Sequence, residues 1–378
     1  MKNVLLFLYL GFTLNVSGQK AEVDTIPFHT KSTLLVFKAK INGHETNCAL
    51  DTGASTSVLT SSQAVSTNLK FEGSLTVNDS NENKSSAKRG VIETVTIGSQ
   101  TVSNASTVVF DMPFLACNDL FLMGANIINQ FNWKIDFEKN LLYISKTPFE
   151  TTKNMVEMDV KFKKNRHFTD ITIQNYKLKN CLIDTGFNDF FEVSSGQPFF
   201  KKLQKQNERT TVSSKRFSMG LTSMQSTTNH TFSFDGLQLN NTTFDDVKVD
   251  LRENIENKIG LKFFSTLSTV LIMNTSNSSY HLQLSNQPVS LKIGFDADIY
   301  LKNGALTVVG KTTNSESSAN DLEIDEQVIS LNGKKASDFK DECEFILWRL
   351  ENAKQNECVI ERINGEKIIV KKQILKTT

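Results

Sequence analysis

Residues 47–53 read Asn-Cys-Ala-Leu-Asp-Thr-Gly, and residues 180–186 read Asn-Cys-Leu-Ile-Asp-Thr-Gly. One Asp-Thr-Gly is common turn chemistry. Two copies, each closing an apolar run, point to a duplicated unit that delivers one carboxylate from each half, and paired carboxylates are a device for acid–base hydrolysis. The duplication extends beyond the tripeptide. After Asp51 an apolar-Gly step arrives at Met123-Gly124, and after Asp184 at Ile259-Gly260. The tails that follow are alike, Ile127-Ile128 with Phe131 in the first and Phe263-Phe264 with Leu267 in the second. Each Asp-Thr-Gly is preceded by a strand and a hairpin turn, near Asn42-Gly43 and Asn175-Tyr176. Two homologous β units are therefore expected over about 26–148 and 155–288.

Short runs rich in Val, Ile, Phe and Thr dominate the chain, among them 34–41, 91–97, 168–173 and 231–237, which reads as a mostly β protein. At 378 residues there is room for a third domain. Helical spacing is clear only near the end, where Phe339, Cys343, Leu347 and Leu350 recur behind Ser337 as N-cap of a helix over 338–350. The net charge of +1 gives no reason to expect a nucleic-acid partner.

The first 18 residues carry Lys2, the apolar run from Val4 to Leu10, and Ser17-Gly18, the pattern of a secretory signal peptide too short in its apolar core to span a bilayer. After its removal no membrane span is expected. No Cys follows it for a lipid anchor, and no long prosegment fits between Gln19 and the first strand. An exported protein, periplasmic or secreted, is the expectation. Of the five cysteines, Cys343 and Cys358 form either a disulfide or two buried thiols. The five histidines, including His44, His167 and His281, are scattered, so neither a metal site nor a cofactor is indicated.

In each copy the strand should set its Asp at a semi-buried strand end. Thr52 and Thr185 offer hydroxyls there, and Gly53 and Gly186 allow close backbone approach, so that N–H groups hold the carboxylates. Two carboxyls within hydrogen-bonding reach cannot both ionise fully and would titrate as a pair sharing one proton. The ionised member can then deprotonate water while the protonated one polarises a carbonyl.

The string Asp51-Thr52-Gly53-Ala54-Ser55, with Ala49-Leu50 before it and Met123-Gly124-Ala125-Asn126 answering it, resembles the signature of retropepsin-like aspartic peptidases. The two-copy plan is similar to pepsin-like enzymes in compact form, of the exported bacterial type with a C-terminal PDZ domain. The resemblance implies an Asp51/Asp184 dyad, Thr52 and Thr185 locking the two loops together, Ser55 in support, and Gly124 and Gly260 in strands crossing behind. It implies an endopeptidase acting on peptide or protein substrates. The alternative is a degenerate relative that only binds peptides.

The second copy departs by continuing Phe187-Asn188, so the halves are not equivalent. No flap tyrosine is evident, and hairpins near Lys88-Arg89-Gly90 and Ser218-Met219-Gly220 are the flap candidates. From about 289 to 378 the order is similar to a PDZ domain: strand 322–331, Asn332-Gly333, the helix, then a hairpin of 358–363 and 367–372 about Asn364-Gly365. Its usual Gly-Asp pair would fall on Asp325-Glu326. Lys292, Ile293, Gly294 and Phe295 would form the carboxylate-binding loop for a C-terminal peptide ligand.

Overall fold

The computed structural model describes residues 22–78, 83–208, 211–219, 224–253, 255–286, 291–313 and 317–375. The segment read as a signal peptide lies outside them. Val36–Ile41 buries Phe37, Ala39 and Ile41 by alternation and turns at Asn42-Gly43 into His44–Asp51. Both turn residues have positive φ, 48° and 83°, which suits the right-handed twist of a tight hairpin. The matching hairpin of the second unit joins Arg166–Ile173 to Tyr176–Asp184. Its turn lies one residue earlier than the sequence suggests, on Gln174 and Asn175 (φ 46° and 71°), because Tyr176 already belongs to the strand and stacks on Phe199 at 4.3 Å.

Each unit places its Asp-Thr-Gly by the same parallel pairing. His44–Asp51 runs beside Leu120–Gly124 with Asp51 opposite Gly124, and Tyr176–Asp184 runs beside Lys258–Gly260 with Asp184 opposite Gly260. An antiparallel sheet then joins the units. Its order is Val156–Asp159, Ser279–Leu284, Ser268–Asn274, Asn132–Asp136, Leu141–Ser145 and Asp24–His29, and the units meet where Met273 lies opposite Trp133. Three strands come from each unit, so the sheet carries an approximate twofold relation. One continuous core lies beneath both, including Phe37, Phe131, Trp133, Phe263, Phe264 and Tyr280. Burying each such side chain contributes about 1.5–3 kcal/mol, and cutting the chain between the units would strip that core from both halves.

The C-terminal segment has its own core around Leu306, Val308, Leu322, Phe345 and Ile360. It is tied to both units. Ala305–Thr313 pairs with Val212–Met219 of the second, Ser213 opposite Thr313 and Lys215 opposite Lys311. The first unit is reached by a disulfide from Cys117, at the end of helix Pro113–Cys117, to Cys343. Cys343 therefore bonds across the molecule and not to Cys358, which is a buried free thiol beside Asn352.

The helix spans Glu342–Asn352, later than expected. Asp341, not Ser337, caps it by accepting from the Glu344 N–H at 2.9 Å, while Ser337 sits in a short 3-10 turn. Phe345 and Ile346 form its buried face, and Leu347 is 43% exposed. The Asn364-Gly365 hairpin joins Glu357–Arg362 to Lys367–Leu375 as expected, with Gly365 at φ 85°. Asp325, where a glycine was expected, adopts that residue's left-handed backbone (φ 66°).

Two expectations about loops change. Leu291–Phe295 is a strand in the ladder with Lys367–Leu375, irregular between Lys292 and Phe295, so Lys292-Ile293-Gly294-Phe295 does not form an open carboxylate-binding loop. Lys88-Arg89-Gly90 lies within the long strand Lys84–Ile97, paired on both sides, and not at a hairpin tip. Ser218-Met219 does end a hairpin strand, and Gly220 lies outside the described residues.

The covalent tie is directly testable. Peptide mapping without reduction should recover Cys117 linked to Cys343 and Cys358 alkylated only after unfolding. Replacing Cys117 and Cys343 by Ser should cost about 2–4 kcal/mol in chemical denaturation.

Candidate active site

Asp51 and Asp184 close their strands at the junction of the two units, each partly buried. The backbone folds around each in the same way. Asp51 Oδ1 accepts from the N–H groups of Gly53 (2.8 Å) and Ala54 (3.0 Å), and Asp184 Oδ1 accepts from those of Gly186 and Phe187, both at 3.0 Å. The glycines are required by the neighbouring unit. A Cβ on Gly53 would lie 2.5 Å from the Asp184 carboxyl carbon, and one on Gly186 would lie 2.4 Å from that of Asp51. Each carboxyl thus rests against the other unit's glycine, which brings the two carboxyls together at the junction.

Beneath them the threonines interlock. The Thr52 N–H donates to Thr185 Oγ1 at 3.0 Å, and the Thr185 N–H donates to Thr52 Oγ1 at 3.1 Å. Each hydroxyl then donates across the junction, Thr52 to the Ile183 carbonyl (2.6 Å) and Thr185 to the Leu50 carbonyl (2.9 Å). Both threonines are fully buried, so these bonds form without competition from water. Gly124 and Gly260 stand behind, where a side chain would collide with Ser57 N at 2.8 Å or Asp189 O at 2.1 Å. The next residues brace the loops: Ala125 N–H donates to Ala54 O and Leu261 N–H to Phe187 O, each at 2.8 Å. Ser55 meets the other unit through its carbonyl, which accepts from Asn165 Nδ2.

Burial, and then the charge of Asp184, push the Asp51 carboxyl up to about 7. Burial also raises Asp184, opposed by Lys258 and by the two N–H donors.

Residues 37–130 match a family model described as gag-polyprotein putative aspartyl protease. The matched stretch contains Asp51 and Gly124 and covers the first unit alone. Among solved structures, an aspartic proteinase from Irpex lacteus aligns with a TM-score of 0.45 and 11% identity, over 70% of this chain and 98% of that one. No curated protein matches the chain.

The two units support their loops with different groups. In the first unit Asn126 Oδ1 accepts from Ser57 N and Oγ, both at 2.9 Å, and Ser57 Oγ accepts from Gly124 N–H. The second unit uses charge instead. Lys248 bridges Asp189 (2.8 Å) and Asp250 (3.0 Å), and Arg216 reaches Asp189 at 3.3 Å. Burial alone would raise Asp189, but Lys248 and then Arg216 hold it well below the usual carboxylate range. Phe187 supplies its backbone as Ala54 does, and its ring packs under the Lys258 ammonium at 4.5 Å.

The sequence reading did not single out these charged residues. One signal was present: aligning the two Gly steps sets Lys258 against Leu122. His167, noted only as scattered, is buried where the units meet, bonded to Asn129 and Tyr280, and burial lowers it to about 3, so it stays neutral.

Thr52→Ala or Thr185→Ala should cost about 1–3 kcal/mol in urea denaturation, since each leaves a buried N–H without its acceptor. Thr52→Ser keeps the hydroxyl and should lose clearly less.

Proposed function

We propose that this chain is an exported aspartic endopeptidase that hydrolyses peptide bonds with Asp51 and Asp184. The observation that carries this reading is the pairing of two carboxyls, each set against the other unit's glycine, whose backbones are locked by Thr52 and Thr185. Such a pair binds a water between its outer oxygens. The ionised carboxylate takes a proton from that water as its oxygen attacks the peptide carbonyl carbon. The protonated carboxyl donates its proton to the carbonyl oxygen, giving a neutral gem-diol. Collapse returns one proton to a carboxylate and delivers the other to the leaving nitrogen, so the C–N bond breaks into acid and amine and the dyad regains a single proton. No covalent intermediate is needed.

The hairpins Lys70–Asn78 with Lys84–Ile97 and Val212–Met219 with Met224–Phe234 are the segments assigned to close over substrate. Export is supported by the signal-like first 18 residues and by a disulfide, which persists in oxidising compartments. Among the described residues no helix is long and apolar enough to cross a membrane.

The C-terminal segment, about 289–378, is read as a PDZ-like domain that recruits a peptide terminus. A cavity of about 730 Å³ on this segment is lined by Tyr300, Lys302, Ile324, Phe339 and Lys340, with Lys215 and Ser226 of the second unit, and by neither Asp51 nor Asp184. The residues lining it differ from the expected 292–295 stretch.

Cleavage of a denatured protein mixture, assayed from acidic to neutral pH with and without a statine peptide, is the test. Wild type should cleave and be inhibited, and Asp51→Asn and Asp184→Asn should each lose at least about a thousandfold in kcat/KM while staying folded. Activity should fall as pH rises through about 7, where the proton on Asp51 is lost. The same shift sets stability. A carboxyl raised from 3.8 to about 7 favours the folded state less as pH climbs through that window, so Asp51→Asn should be more stable than wild type at neutral pH. Equal cleavage by the Asn variants would remove the dyad assignment.

A further inference from the structure

The two units differ at three matched positions, and the difference is one of charge. In the first unit Val58 lies opposite Leu122 on the strand that ends at Gly124, and opposite Val108 on its other side. The same places in the second unit hold Glu192, Lys258 and Asp250. All three are buried, with Lys258 only 7% exposed. A buried ion pair contributes little net stability over an apolar pair of similar size, and the first unit demonstrates that the apolar pair suffices for this fold. The charge therefore invites a role at the dyad.

Lys258 is placed for one. It pairs with Leu182 in the parallel ladder that sets Gly260 opposite Asp184. Side chains two apart on a strand share a face, so Lys258 lies on the face of the sheet that carries Asp184. Its ammonium is 3.0 Å from Glu192 and packs over the Phe187 ring, and the Phe187 N–H donates to Asp184 Oδ1. Asp51 has no matching cation, because Leu122 stands at that position.

We propose, resting on the peptidase reading, that Lys258 is a positioning residue that makes the dyad asymmetric. It holds Asp184 as the ionised member that deprotonates water, and leaves the proton on Asp51, which polarises the carbonyl. Among the described residues, these charged groups surround the arrangement. Asp184 is faced by Asp51 from the first unit and Lys258 from the strand beside it. Lys258 is faced by Glu192 and Asp184, and by Arg252 from the adjoining strand, which reaches Glu192 at 3.6 Å. Asp189, Lys248, Asp250, Arg216 and Lys262 form a separate cluster around Asp189 and Asp250. Burial alone would lower Lys258, but Glu192 and then Asp184 raise it, so it remains a cation throughout the range in which the dyad titrates.

The test is a titration of the Asp carboxyl carbons by ¹³C NMR, with the two signals assigned through Asp51→Asn and Asp184→Asn. It needs no turnover, so it separates this inference from the peptidase reading, which fails if the wild type cleaves nothing. Asp184 should ionise first in wild type. Lys258→Met, and the pair Glu192→Val with Lys258→Leu that copies the first unit, should move its ionisation upward by about one pH unit or more. Lys258→Arg should leave it in place. In an active enzyme both limbs of the kcat/KM profile should move to higher pH in the first two variants. Asp51 ionising first in wild type, or an unmoved titration in the folded double variant, would overturn the proposal.

Discussion

Everything at the centre of this molecule depends on the reciprocal bonds between Thr52 and Thr185. Each backbone N–H finds its acceptor in the other unit, and each hydroxyl spends its proton on the other unit's strand. Neither loop can satisfy its buried polar groups alone, so formation of the junction and formation of each loop are one event. The junction brings two carboxyls together at a spacing that neither would choose in isolation. Glycine at 53 and 186 permits that approach, and glycine at 124 and 260 permits the strands behind it. The proposed shared proton rests on this enforced contact and on burial.

The approximate twofold relation holds in the backbone and breaks in the side chains. In the first unit a neutral network of Asn126, Ser57 and Gly124 supports the loop, and in the second a charged one does, of Asp189, Lys248, Asp250 and Arg216. Arg216 belongs to a strand that also pairs with the C-terminal segment. A physical path thus runs from that segment to the Asp184 loop, while the Cys117–Cys343 bond ties the same segment to the first unit. The C-terminal segment is accordingly a brace across both halves as well as a peptide-binding candidate.

The repeated Asn-Cys-x-x-Asp-Thr-Gly and the two Gly steps made the paired units and the dyad legible, because local pattern and turn chemistry set them. Asn42-Gly43 and Asn364-Gly365 were legible for the same reason, since both need positive φ. What escaped was determined by partners distant in sequence. Cys117 and Cys343 are 226 residues apart, and nothing local distinguishes them from Cys358. The stretch at 291–295 is a strand because 367–375 lies beside it. The start of helix 342–352 is a local exception: the Asp341 side chain caps it at Glu344, three residues on, and overrides the apolar spacing that suggested Ser337. Lys258 stands just before an apolar-Gly step, and its partner Glu192 lies 66 residues earlier in the chain, so no local pattern ties the two.

The claim at the centre is that Asp51 and Asp184 share one proton at their junction. Neutron diffraction from deuterium-exchanged crystals at mildly acidic pH tests it most directly. The account predicts a single deuteron on the dyad, held between facing carboxyl oxygens, with a water on the outer pair. Two fully ionised carboxylates, or carboxyls standing apart with no deuteron between them, would contradict it.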